Sequence, residues 1–385
     1  MIHNPILPGF NPDPSIIRVK DDYYIAVSTF EWFPGVRIYH SKNLKDWELA
    51  ATPLNRINQL NMLGEVSSTG VWAPCLSYFD EVYYLVYTDV KSSDWPFMET
   101  HNFLVTTKDI YADWSDPVYL NSSGFDPSLF HDENGRKWLL NQEMDYRKGY
   151  EAMRGILLQE YSPERKQLIG KPKRIFNGSS AGNPEGPHLY KINGWYYLIV
   201  AEGGTGFNHQ VTVARSRTID GPYEIDPQNP MLTSINKNDL YLKKAGHASI
   251  VQSENGDWYM AHLCSRPIGD NARSVLGRET ALQNICFDKN GWIRLDAGGN
   301  NPFNEFEALD KNFEAKGKML RDDFNEKKLS KIYQTLRYPL CEKYLSLTER
   351  PGYLRLKGGA YLSSNFKQAL VGRRQESFVC SAATC

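Results

Sequence analysis

Apolar and polar positions along the chain follow one pattern that returns five times. A short apolar run is followed by a charged or Asn-Gly turn, and then by an aromatic-rich run with almost no polar interruption. The short runs are residues 13–17, 73–77, 126–130, 185–189 and 247–251, and the aromatic runs are residues 21–27, 80–86, 134–140, 193–199 and 255–261. Asn193-Gly194-Trp195-Tyr196-Tyr197-Leu198-Ile199 is representative. Strand formers on either side of an Asn-Gly or acidic turn predict a β-hairpin. The copies recur about every 55 to 60 residues, the length of a four-stranded unit with long loops.

Helical periodicity is weak throughout, which disfavours a parallel α/β barrel. Five copies at near-constant spacing call for a radially repeated architecture rather than a single sandwich. Pieces such as Leu44-Lys45-Asp46-Trp47, Tyr111-Ala112-Asp113-Trp114 and Ile219-Asp220-Gly221-Pro222-Tyr223 follow three of the hairpins and read as turns and outer strands of the same units. The expected fold is all-β: a five-bladed β-propeller over residues 1–300, followed by a partial β-sandwich segment. Residues 301–318 read as a polar linker and 319–385 as the start of that sandwich. Runs such as Tyr344-Leu345-Ser346-Leu347 and Tyr353-Leu354-Arg355-Leu356 alternate as strands do. They are too few for a sandwich of about seven strands, so the expectation is a truncated second domain with unpaired edges and impaired activity.

With 44 Lys and Arg against 45 Asp and Glu, no net field draws the chain to nucleic acid, an anionic membrane or a polyanion. A neutral small ligand fits better. The 23 Tyr and 9 Trp suit both a β-rich core and sugar-stacking surfaces. Six cysteines without CxxC pairs or regular spacing indicate neither a zinc site nor a disulfide framework. Free thiols, an N-terminus without a signal-like apolar region, and no apolar stretch of about 18 residues lead to a cytoplasmic expectation.

The innermost strands of a propeller line its central channel, so equivalent positions of successive repeats converge at its mouth. The first residues of the five short runs are Asp13, Ala73, Asp126, Glu185 and His247. Three acids and a histidine would meet there. One Asp-Pro-Ser could merely cap a turn, but three buried carboxylates are costly unless paired or used. Glycoside hydrolysis uses one protonated carboxyl as acid and one ionised carboxylate as base or nucleophile. A third acid close to the donor would raise the donor's pKa.

At these residues the sequence resembles glycoside hydrolase family 43, in particular its β-xylosidases, some of which also cleave α-L-arabinofuranosides. The likeness covers essentially the whole chain. It rests on Asn11-Pro12-Asp13-Pro14-Ser15, Val71-Trp72-Ala73-Pro74, Gly124-Phe125-Asp126-Pro127-Ser128, Asn183-Pro184-Glu185-Gly186-Pro187, Glu202-Gly203-Gly204-Thr205-Gly206, Gly246-His247-Ala248 and Leu276-Gly277-Arg278-Glu279-Thr280. The resemblance implies an inverting hydrolase with Asp13 as general base, Glu185 as general acid and Asp126 as the neighbour that tunes it. It further implies Phe30 and Trp72 as apolar walls, with ordinary core packing as the competing reading, and Thr205, His247 and Arg278 as substrate contacts.

No cofactor is implied. A central calcium near His247 is allowed, although no metal-ligand cluster is visible and a structural histidine is the simpler reading. The expected partner is a small oligosaccharide, with room for a homo-oligomer. Cys75 stands where relatives commonly carry His, and Met144 precedes Asp145-Tyr146-Arg147 where many carry Trp. Two alternatives stay open: another five-bladed glycosidase, such as an endo-arabinanase or a retaining fructosidase, and a carbohydrate-binding propeller without activity.

Overall fold

The computed structural model describes residues 1–94, 97–307, 309, 311, 313–315 and 321–384. Within the expected linker, residues 308, 310, 312 and 316–318 lie outside the described residues, as do 319, 320 and Cys385. The described residues are all-β, without a helix.

Five antiparallel sheets follow one another along the chain. The first pairs Ser15–Val19, Asp22–Val27, Arg37–Ser41 and Glu48–Ala51 in that order, and the second Gly70–Phe79, Val82–Ser92, Glu99–Thr107 and Val118–Asn121. The third contains Ser128–His131, Lys137–Met144, Met153–Ser162 and Gln167–Phe176. The fourth contains Glu185–Ile192, Trp195–Glu202, Gln210–Ser216 and Glu224–Ile225, with Leu232–Thr233 added to its third strand. The fifth contains Lys243–Gln252, Trp258–Ser265, Glu279–Phe287 and Ile293–Leu295. All five expected hairpins are the first two strands of a sheet. The three recurring Trp- and Tyr-containing pieces all lie between third and fourth strands.

The absence of strict apolar–polar alternation in the second strands has a physical cause: both of their faces are buried. Tyr23, Ile25 and Val27 pack toward the fifth sheet, whereas Tyr24 and Ala26 pack toward the second. Leu198 and Val200 likewise face the third sheet while Tyr197 and Ile199 face the fifth. Successive sheets are thus joined by apolar layers, and the layer uniting Ile16 and Ile25 with Tyr259 and Leu282 closes the first sheet on the last. Inner strands are also stitched across sheets. Ser15 Oγ accepts from the Leu76 amide at 3.1 Å, Ser249 Oγ from the Ile16 amide at 2.9 Å, and the Tyr190 hydroxyl from the Ile250 amide at 2.9 Å. At the closure, Ile2–His3 pairs with Glu305–Phe306.

The C-terminal segment docks on the first sheet's connecting loop. Tyr333–Leu336 pairs with Trp32–Phe33 on one side and Gly372–Arg373 on the other. Arg337, only 2% exposed, fastens the seam: its amide donates to Glu31 O at 2.8 Å and its Nε to Glu65 O at 2.6 Å. Beyond this seam Leu345–Ser346 pairs with Arg355–Leu356, and Tyr361, Leu362 and Val379 are left largely exposed.

Candidate active site

A left-handed backbone turn lies in or just before the first strand of each sheet. Asp13 (φ 57°), Ala73 (φ 33°), Asp126 (φ 53°), Gly186 (φ 56°) and His247 (φ 45°) all adopt a left-handed conformation. For a residue with a Cβ this costs on the order of 1–3 kcal/mol, which the surrounding packing must enforce. The prolines Pro14, Pro74, Pro127 and Pro187 follow the first four of these residues.

This geometry corrects the expected equivalence of the three acids. Asp13 and Asp126 do occupy one repeat position, but in the fourth sheet that position is Gly186, and Glu185 comes one residue earlier. The pairing of this strand shifts register between Glu185 and His188, as it does in the second and fifth sheets between Trp72 and Cys75 and between Gly246 and Ala248. A Cβ at Gly186 would come within 2.8 Å of the His247 ring, so only glycine lets the imidazole pack there beside Glu185. Gly124 has a similar role: its absent Cβ would be 1.9 Å from the Gln142 carbonyl oxygen, and this close approach sets the entry to Asp126.

All eight residues singled out from the sequence line one cavity of about 240 Å³: Asp13, Phe30, Trp72, Asp126, Glu185, Thr205, His247 and Arg278. Phe125 and Gly204 complete the lining. Phe125 was within reach of the sequence, as it precedes Asp126 in a quoted motif. The aromatic walls form an arc in which the Phe30 and Trp72 ring centroids are 6.0 Å apart and those of Trp72 and Phe125 5.7 Å. The competing assignment of Phe30 as plain core gives way to a double one, since it is buried yet faces the cavity. Thr205 stands exposed at the rim, on a loop whose base is braced by Glu202 accepting from the Ser179 amide at 2.6 Å.

The three acids have distinct surroundings. Asp13 Oδ2 accepts a 2.6 Å hydrogen bond from Ser28 Oγ, and Oδ1 lies 3.5 Å from Arg278 Nη1 and 3.8 Å from His247 Nδ1. Ser28 Oγ in turn accepts from the Ala73 amide at 2.7 Å, which leaves its own proton for Asp13. Asp126 Oδ2 accepts from the Gly186 amide at 3.0 Å. Glu185 Oε1 is buried without a partner. Burial, and secondarily Asp13, pushes the Glu185 pKa up to about 7. Burial, then Glu185 and Asp13, holds Asp126 well above the usual carboxylate range. The lift on Glu185 thus comes mainly from burial, not from Asp126 as expected. Glu185 raises Asp126, so these two buried carboxyls titrate together and keep a proton between them near neutrality. The Gly186 N–H favours the ionised form of Asp126 but is outweighed by burial, so both carboxyls are held toward their protonated forms.

Sequence reasoning missed Ser28, although Thr88 in the second sheet has the same place, its hydroxyl accepting from the Asp126 amide at 3.2 Å as Ser28 does from Ala73. Replacing Ser28 by Ala removes a charge-assisted hydrogen bond worth about 1.5–3 kcal/mol. The expected result is a fall in kcat of roughly one to two orders of magnitude with KM little changed. An unchanged kcat would leave Ser28 a merely structural residue.

Burial holds His247 neutral by lowering its pKa, against the pull of Asp13. Among the described residues no three His, Cys, Asp or Glu side chains are grouped to hold a metal ion. Calcium takes six to eight oxygen ligands, whereas the ring of His247 packs on Gly186 with Asp13 as its nearby carboxylate. This donor set does not fit a calcium cage.

Residues 2–293 match the profile of glycosyl hydrolases family 43, and residues 321–385 that of the β-xylosidase C-terminal concanavalin A-like domain. The chain is 50% identical over 394 residues to a β-xylosidase of Bacillus subtilis, covering 100% of this chain and 73% of that protein. It is 37% identical over 386 residues to a non-reducing end α-L-arabinofuranosidase of Bacteroides ovatus, covering 99% of this chain and 69% of the other. The crystal structure of a xylan β-1,4-xylosidase from Bacillus halodurans superposes with a TM-score of 0.96 at 54% identity, covering 98% of this chain and 72% of that one. With a family match over most of its length and a carboxyl-lined cavity that suits the chemistry, this chain belongs to glycoside hydrolase family 43.

Proposed function

We propose that this enzyme removes single xylose units from the non-reducing ends of β-linked xylo-oligosaccharides, with inversion at the anomeric carbon, and accepts α-L-arabinofuranosides as second substrates. Asp13 is the general base that takes a proton from the attacking water, Glu185 the general acid that protonates the leaving oxygen, and Asp126 the neighbour that shares the pair's proton and orients the sugar. Supporting this division is the contrast between the two ends of the cavity. Asp13 is hydrogen-bonded by Ser28 and faces Arg278, as an ionised base should be, whereas Glu185 is buried with a pKa near 7, as a donor should be. Water then attacks directly and no covalent sugar–enzyme intermediate forms.

The observation that carries the reading is the convergence of these three acids in one cavity of about 240 Å³. That volume lies below the roughly 300–1,000 Å³ of drug-sized pockets and suits one monosaccharide. The catalytic body is read as a five-bladed propeller over residues 1–300, supported by five sheets whose apolar layers close on themselves. Residues 319–385 belong to a second, sandwich-type domain, supported by the C-terminal profile match. The relatives named xylosidase and arabinofuranosidase support the choice of pentose. A panel of nitrophenyl glycosides tests the reading. The β-D-xyloside is expected to turn over fastest, the α-L-arabinofuranoside measurably, and the β-D-glucoside at least about tenfold more slowly, because its extra hydroxymethyl group overfills a closed pocket. Preference for the glucoside would overturn it.

A further inference from the structure

Strand pairing does not fix the position of His247. In the fifth sheet Lys243 pairs with Ser265, Gly246 with Leu263 and Ala248 with His262, so one extra residue is inserted on each side of Gly246. His247 is therefore the unpaired residue of a bulge, and a bulge aims a side chain without holding it by ladder hydrogen bonds. Its place is set by what packs around it. Backbone groups of the first bulge are taken up from outside the strand. The Ala245 amide donates to Ser234 Oγ at 3.1 Å, and the Lys244 carbonyl accepts from His209 Nδ1 at 3.0 Å.

His209 ends the loop that follows Trp195–Glu202 and carries Thr205 over the sugar pocket. It is fully buried, its amide closes the loop on Gly206 O at 3.3 Å, and its carbonyl accepts from Thr233 Oγ1 at 3.2 Å. A carbonyl can only accept, so Nδ1 carries the proton of the ring. Burial keeps that ring neutral, with a pKa lowered to about 3. Its face lies on Gly246, where a Cβ would be 2.5 Å from each of Cγ, Cδ2 and Cε1. One residue on, His247 does the same to Gly186, where a Cβ would meet its Cε1 at 2.8 Å and both ring nitrogens at 3.0 Å. Gly186 follows Glu185, and its amide is the donor to Asp126. Two imidazoles and two glycines thus alternate in contact from the rim loop to the acid.

We propose that His209 is a positioning residue for Glu185: through Gly246, His247 and Gly186 its ring holds the backbone that carries the general acid. The proposal rests on the assignment of Glu185 as that acid. His209 does not itself line the sugar cavity. With glycine at 186 and 246 each ring meets backbone directly, and no flexible side chain lies between them to absorb a displacement. Loss of the His209 ring therefore reaches Gly186 and shifts Glu185 against the leaving oxygen, and a misplacement of about 1 Å can cost about 10²-fold in rate.

The test compares kcat on an alkyl β-xyloside, which needs the acid, with kcat on a dinitrophenyl xyloside, which does not. Both are measured on one sample of each variant, so their ratio is independent of the fraction folded. His209→Ala and Gly246→Ala are each expected to lower the alkyl-to-dinitrophenyl ratio at least about tenfold relative to the parent. They act from opposite sides, one removing the ring and the other adding a methyl group against it. His209→Asn, which offers the Lys244 carbonyl an N–H but no ring face, should lie between the parent and His209→Ala. Residues that merely filled the core would lower Tm and leave the ratio at its parental value, and that result overturns the proposal. Glu185→Gln, run alongside, separates the two claims. If it lowers the ratio while the His209 and Gly246 variants do not, the positioning role alone fails. If it leaves the ratio unchanged, the acid assignment falls and the positioning role falls with it.

Discussion

Glu185→Gln is expected to lower kcat on an alkyl β-xyloside by on the order of 10²–10⁴, the usual share of a general acid. The loss should be far smaller on a dinitrophenyl xyloside, whose leaving group departs without a proton. That split identifies an acid, because a variant that merely distorted the pocket would slow both substrates alike. The same group sets the alkaline side of the pH profile. With the Glu185 pKa near 7 and coupled to Asp126, activity on the alkyl substrate should fall as pH rises through about 7. A native pKa above the 4.5 of an unperturbed glutamate means that the folded chain binds the extra proton. Stability therefore declines as pH rises from about 4.5 to 7. Glu185→Gln removes that part of the decline, so the variant should be at least as stable as the parent at pH 8. Inactivity accompanied by unfolding at that pH would point away from this account.

The second large effect belongs to Asp13. Asp13→Asn keeps the shape and the Ser28 contact but cannot accept the proton of water, so kcat should fall by on the order of 10²–10⁴ for every leaving group. Insensitivity to the leaving group is the mark of a base acting on water, and it separates Asp13 from Glu185 by kinetics alone. The variant should still bind xylose, since Arg278 and the aromatic walls remain. Substantial rescue by a better leaving group would exchange the two roles.

How the sequence led to this site, and where it did not, has local physical causes. The five hairpins were legible because turn chemistry and aromatic-rich strands recur at a near-constant interval. Burial of the second strands on both faces was visible as runs such as Trp195-Tyr196-Tyr197-Leu198-Ile199 without polar alternation. The convergence of Asp13, Asp126 and Glu185 followed from the repeat, but the one-residue offset of Glu185 did not. That offset goes with Gly186 yielding its Cβ space to His247. A closer look at the prolines would have found it, as Pro187 aligns with Pro14 and Pro127 only when Gly186 aligns with Asp13 and Asp126.

The origin of the raised Glu185 pKa was illegible for a different reason. Burial depends on how sheets pack, and sequence spacing reports only which charges approach. Ser28 belongs to the same class: its significance lies in a contact between segments far apart in the chain, with Ala73. The alternating runs of the C-terminal segment did predict strands there, and two of them pair at Leu345–Ser346 and Arg355–Leu356. The strand that anchors the segment, Tyr333–Leu336, is fixed instead by its tertiary partner Trp32–Phe33.

The central claim is that water attacks the anomeric carbon directly, with Asp13 as base and Glu185 as acid. Proton NMR of the first-formed sugar during rapid hydrolysis of a β-xyloside, before mutarotation, tests it most directly. The account predicts α-xylose as the initial product; β-xylose appearing first would contradict it.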